Sequence, residues 1–145
     1  MTSRIEKRRR LQGRRTGNSF LSIPHHVLDH ENFRCLSPRA TKLAIDIAAQ
    51  YRGNNNGDLC ATMSVMQSRG WTSSDQLAKA KKELLEKDVI WIARQGGYPK
   101  KASLYALTWI PIDDCKGKLD INPTNTPPVN WKKKVLSPPL GAKEP

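Results

Sequence analysis

Three histidines, three cysteines and one pair of adjacent aspartates are the residues best equipped for metal or acid–base chemistry. His26 and His30 stand four apart and would share one helical face, the spacing of a two-imidazole half-site. A closed zinc centre needs four ligands, and the nearest thiol, Cys35, lies at no usual finger spacing, so His25, His26 and His30 read as exposed or capping residues. Cys35, Cys60 and Cys115 are odd in number and widely separated, which forms neither a disulfide framework nor a CxxC knuckle. A reducing compartment suits them, and at least two are expected to be small core residues. Asp113 and Asp114 are not joined by the further acids that a nuclease metal pair or a glycosidase needs. No phosphate loop of the GxxxxGK type, no GxSxG elbow and no GxGxxG fingerprint occurs. The expectation is a non-enzyme with no metal and no cofactor.

What remains is cationic chemistry. Lys and Arg total 25 against 13 Asp and Glu in 145 residues, a formal charge of +12, and such a balance points to a polyanionic partner. Residues 1–17 hold Arg4, Lys7, Arg8, Arg9, Arg10, Arg14 and Arg15 against Glu6 alone, so this arm supplies +6 of the total. With Gly13, Gly17 and little apolar surface, the arm is expected to be disordered when free and to contact phosphates when bound. No stretch approaches the roughly 20 apolar residues that span a bilayer, and the start of the chain lacks the apolar run of a secretory signal. A cytoplasmic, nucleoid-associated protein is expected, with no membrane partner.

The elements that must position these charges lie in the middle of the chain. Phe20 to Ile23 is a short apolar run before Pro24 and reads as an edge strand; a short helix through Val27 and Leu28 follows. Ser37 is a good N-cap, Pro38 fits the first helical position, and a helix is predicted to run to Arg52. Ala40, Leu43, Ala44, Ile47, Ala48 and Tyr51 fall on one face, with Arg39, Lys42, Asp46 and Gln50 opposite. Residues 62–69 form a short helix capped by Thr62, and Gly70 permits a sharp turn. A second helix follows over residues 73–87, with Ser73 as N-cap and Gln76 three residues on as in a capping box. Leu77, Ala80, Leu84 and Leu85 make its inner face. Residues 89–93 and 103–109 then read as two strands of a hairpin whose connection carries Arg94, Lys100 and Lys101. Seven of the ten prolines follow residue 110, so residues 111–145 read as a Pro-rich extended tail, with Trp131 to Leu136 as a short docking segment or a solvated linker.

Helix, tight glycine turn, capped helix and a hairpin with a basic tip, in that order, resemble the winged helix-turn-helix family of bacterial regulators and of phage and plasmid replication modules. The resemblance covers residues 20–110 and is strongest over 63–92, where SVMQSRGWTSSDQLAKAKKELLEKDVIWI carries the turn, cap and leucine positions in the family's order. It implies an α+β fold of three to four helices with a C-terminal β-hairpin wing, flanked by disordered tails: an arm over 1–17, a domain over 18–110 and a tail over 111–145. It also implies that residues 73–87 are the recognition helix, 62–69 its support and 94–101 the wing.

Under that resemblance the candidate DNA-binding residues are Thr72, Ser73, Ser74 and Gln76 at the leading end of the recognition helix, and Lys79 and Lys82 along its outer face. Arg94, Lys100 and Lys101 in the wing and Arg8, Arg9, Arg10, Arg14 and Arg15 in the arm complete the set. A major groove admits one helix, whose amino-terminal side chains reach base edges first. Gln76 suits adenine, and no side chain there gives strong guanine readout, so modest specificity is expected. Asp75 stands four residues before Lys79 and is placed to pair with it. The partner expected is double-stranded DNA, bound by repeated monomers or a homodimer in transcription regulation or replication. The competing readings are a protein-recruiting adaptor that uses the 111–145 tail, and an RNA-binding protein.

Overall fold

The computed structural model describes residues 19–97 and 101–133. Pro24 holds an extended backbone and opens α1 (His25–Leu28). His30 caps α2 (Glu31–Arg34), its Nδ1 accepting the Asn32 amide at 3.0 Å, so one histidine is a capping residue. The run 20–23 expected as an edge strand has no strand conformation. Phe20 and Leu21 are exposed and only Ile23 packs on the core, because a run this short has no neighbouring strand to pair with.

In α3 (Pro38–Ala48), Ser37 accepts from the Ala40 amide while Pro38 takes the first turn, as its residue types demand. The helix stops four residues before Arg52, because Asn55 competes for its backbone: Nδ2 donates to Gln50 O at 3.0 Å and Oδ1 accepts from Arg52 N at 2.7 Å. Leu43, Ala44, Ile47 and Ala48 are fully buried; Asp46, expected on the outer face, is only 7 % exposed. The two-residue strand β1 (Leu59–Cys60), which periodicity is too short to reveal, follows. The Gln50 carboxamide brackets Cys60 at 2.7 and 2.9 Å, giving the outer side of this edge strand a ladder-like pair of hydrogen bonds.

Next come α4 (Met63–Met66), which tightens into a 3₁₀ turn over Gln67–Arg69, and α5 (Ser74–Glu86). Gly70 between them sits at φ 93°, a left-handed conformation that costs other residues strain. Thr62 and Ser73 cap the two helices by accepting the amides of Val65 and Gln76. α5 packs on α3 through Leu77, Ala80 and Leu84, and Glu83 adds a cap between helices. Its carboxylate accepts both the Ser37 amide at 2.6 Å and the Ser37 hydroxyl at 2.8 Å, closing the amino end of α3.

Strands β2 (Ile90–Arg94) and β3 (Leu104–Leu107) pair antiparallel, with β3 central in the order β1-β3-β2. The register sets Ile90 against Leu107 and Ile92 against Tyr105, then shifts so that Arg94 meets Leu104. The α+β class expected from the element order is what the chain adopts: five short or medium α-helices and a three-stranded antiparallel sheet among the described residues.

All four residues of β3 are buried, because both sheet faces are covered. Tyr105 and Leu107 join the helices in the main core; Ala106 and Ala93 join Ile112 in a second layer to which Trp91, Leu119 and Ile121 contribute. Ile112, Leu119 and Ile121 of that layer come from the segment expected as a Pro-rich extended tail, and here the expectation is corrected for residues 111–133. Proline density excludes regular elements, and only a single 3₁₀ turn forms at Cys115–Gly117. It does not exclude burial, since side chains can satisfy the irregular backbone.

Asn56, fully buried, does most of this. Its Nδ2 lies 3.0 Å from each of Leu107 O, Ile110 O and Pro111 O, and its Oδ1 accepts Leu107 N at 2.7 Å. Its own amide donates to Asp113 Oδ2, and Asp113 N donates back to its carbonyl. Further along, Trp131 is buried, donates Nε1–H to Thr108 Oγ1 at 3.0 Å and meets the rings of Trp109 and His30 edge-on. The cysteine expectation is corrected too: Cys35 is exposed, while Cys60 and Cys115 are half-buried in an edge strand and a turn.

Candidate nucleic-acid interface

The amphipathic spacing of α5 divides it cleanly. Leu77, Ala80 and Leu84 are buried, while Ser74, Asp75, Gln76, Ala78, Lys79, Lys82 and Glu86 are exposed. Thr72, just before the cap, is exposed as well. The Ser73 hydroxyl is held by the Gln76 amide, so it supports the helix end while Thr72, Ser74 and Gln76 present exposed polar side chains beside it. The leading turn also presents backbone N–H groups, a favourable setting for an anion.

Charge on this surface is balanced. Lys79 pairs with Asp75 at 3.1 Å, as their spacing implies, and both side chains are well exposed, so the pair is a weak, salt-screened one. Glu86 lies beyond Lys82 on the same exposed side. The net cationic field must therefore come from neighbours of α5. Arg69, exposed at the end of the 3₁₀ turn, is one that periodicity did not single out, since a lone charge beside a glycine carries no pattern.

Of the two hairpin cations among the described residues, one is engaged within the fold. Arg94 is half-buried, and its Nη2 donates to Ala102 O at 2.9 Å, bracing one hairpin arm against the other. Gly97 and Lys101 exchange both backbone hydrogen bonds at 2.9 Å, which closes the base of the loop and leaves the Lys101 side chain exposed. Lys100 and the arm residues Arg8, Arg9, Arg10, Arg14 and Arg15 lie outside the described residues. Asp120 seals the outer edge of β2: its amide donates to Ala93 O at 2.8 Å and its carboxylate accepts Gln95 N at 2.8 Å.

Behind α5, the turn is tied to α3. Trp71, only 7 % exposed, donates its indole N–H to Asp46 Oδ2 at 2.8 Å, and Lys42 reaches the same oxygen at 2.6 Å. On the opposite chemistry, no group of three or more His, Cys, Asp or Glu residues is placed to hold a metal among the described residues. An open groove of about 720 Å³ lies where α1 and α2 meet the 131–133 segment, lined by His26, His30, Arg34, Cys35 and Trp131 together with Asp29 and Glu31. No helix among the described residues is long and apolar enough to cross a membrane. Comparison with protein-family models, with curated proteins and with solved structures finds no match for this chain.

Proposed function

We propose that the chain binds duplex DNA as a winged helix-turn-helix protein, with α4 and α5 as the helix-turn-helix and the β2–β3 hairpin as the wing. The observation that carries this reading is the exposed polar leading turn of α5, with Thr72, Ser74 and Gln76 outward and an apolar face fixed to the core. The element order supports the same arrangement: β1 precedes the two helices, and the β2–β3 hairpin that follows α5 pairs with it in the order β1-β3-β2. Base edges are read by Gln76 and its neighbours, phosphates are gripped by Lys82, Arg69, Lys101 and the arm, and the role is regulatory or replicative. With the outer face of α5 nearly neutral, affinity rests on the arm and hairpin, while preference for a site rests on the helix.

A salt-titrated mobility shift tests this division. Deleting residues 1–17 is expected to weaken binding to every duplex and to flatten the dependence of log K on log salt, by about 0.9 for each lost phosphate contact. The double variant Gln76→Ala, Lys79→Ala is expected to bind random duplex like the parent and to lose preference for a duplex selected by the parent from a random pool. Parental behaviour in both variants would place the interface elsewhere.

A further inference from the structure

We infer that Asp46 is the positioning residue for the leading end of α5. The inference rests on the DNA-binding reading for its consequence, but on the geometry of α3 and the turn for its mechanism.

A carboxylate that is nearly buried on a helix face needs partners, because an uncompensated charge is costly to take out of water. Asp46 finds both of its partners in or beside the turn that precedes α5. Its Oδ2 accepts the Trp71 indole N–H at 2.8 Å and the Lys42 ammonium at 2.6 Å. The Lys42 ammonium donates again to Arg69 O at 2.7 Å and stands 5.5 Å from the centre of the Trp71 ring. One oxygen on α3 thereby gathers the main chain at Arg69 and the side chain at Trp71. Gly70 lies between these two anchors in its left-handed conformation, and Ser73, the cap of α5, follows two residues after Trp71. A turn anchored on both sides of its one flexible residue has little freedom to tilt or slide the helix it introduces. Hydrogen bonds fix direction as well as distance, so this cluster constrains the geometry of the turn and not only its packing.

Asp46→Asn keeps an acceptor for the indole but loses the attraction for Lys42, and Lys42→Met removes the tether to Arg69 O while leaving the buried carboxylate its indole partner. Lys42 is half-exposed, so neither change is expected to unfold the domain. The test measures three things on the full chain: the urea midpoint, the amide and indole N–H resonances of residues 69–76 with their hydrogen exchange, and the ratio of Kd for random duplex to Kd for a parent-selected duplex. The expected result is a fold retained at the parental urea slope, faster exchange at the Trp71 indole and at the Thr72 to Gln76 amides, and discrimination reduced about tenfold with random-duplex affinity unchanged. Unchanged exchange over residues 71–76 in both variants would overturn the clamp, as would full discrimination with a freed indole. If the parent binds no duplex, the DNA reading fails by itself, and the exchange data still decide whether Asp46 holds the turn.

Discussion

Replacing Asn56 by alanine removes one carboxamide and should loosen three segments at once. Nδ2 carries two hydrogens and faces three carbonyls, so two full hydrogen bonds, one of them shared, are the most it can donate. Oδ1 adds one accepted bond from Leu107 N. Three buried bonds at about 1 kcal/mol each give about 3 kcal/mol, and the buried Leu107 amide left unpaired at the end of β3 raises the cost toward about 4 kcal/mol. Urea unfolding followed by tryptophan fluorescence should show a midpoint lowered by about 1.5–2 M at an unchanged slope near 2 kcal/mol per M. Asn56→Asp sharpens the test, because it preserves shape but turns an oxygen toward three carbonyl oxygens. It should be at least as damaging as alanine. A loss under about 1 kcal/mol for alanine, or parental stability for aspartate, would show that the buried staple does not hold the 111–113 chain against the sheet.

Three other outcomes follow from the same packing. Glu83→Ala should cost about 1–2 kcal/mol in urea unfolding, since it uncaps α3 at Ser37, and Glu83→Gln should recover part of that. Trp131→Ala should cost about 3–5 kcal/mol in the same assay, which a solvated tail residue would not. Cys115 has its thiol pushed up, first by burial and then by Asp58 and Asp113, so alkylation followed by mass spectrometry should label exposed Cys35 first and Cys115 only at higher pH. Above the ordinary thiol pKa the unfolded chain releases this proton before the folded one does, so Cys115 makes the fold less stable as pH rises through the raised value. Cys115→Ser should reduce that alkaline loss in pH-dependent unfolding.

Much of the architecture is legible from residue order, and the exceptions share a physical cause. Ser37 with Pro38 and Ser73 with its leucines announce α3 and α5 because caps and a 3.6-residue period act within one turn of the chain. Gln50, Asp46 and Asn56 announce nothing, because each is defined by a partner far along the sequence: Cys60, Trp71, and Leu107 with Pro111. Ile112 and Trp131 are single apolar residues in proline-rich surroundings, with no periodicity to mark them, yet they roof two sides of the sheet. The outward face of α5 could be read from spacing, whereas the engagement of Arg94 by Ala102 depends on how the hairpin closes.

The seating of Trp131 on Thr108 and Trp109 also orders events during synthesis. Every helix and strand among the described residues leaves the ribosome before Trp131 does, so the face of the Trp109 indole that Trp131 covers stays open to water until that residue emerges. Completion then requires a segment without regular structure to close contacts with α2, at His30, across about a hundred residues. Such long-range closure is slow. The interval in between leaves aromatic surface available to chaperones, and a stall or truncation upstream of Trp131 would prolong it.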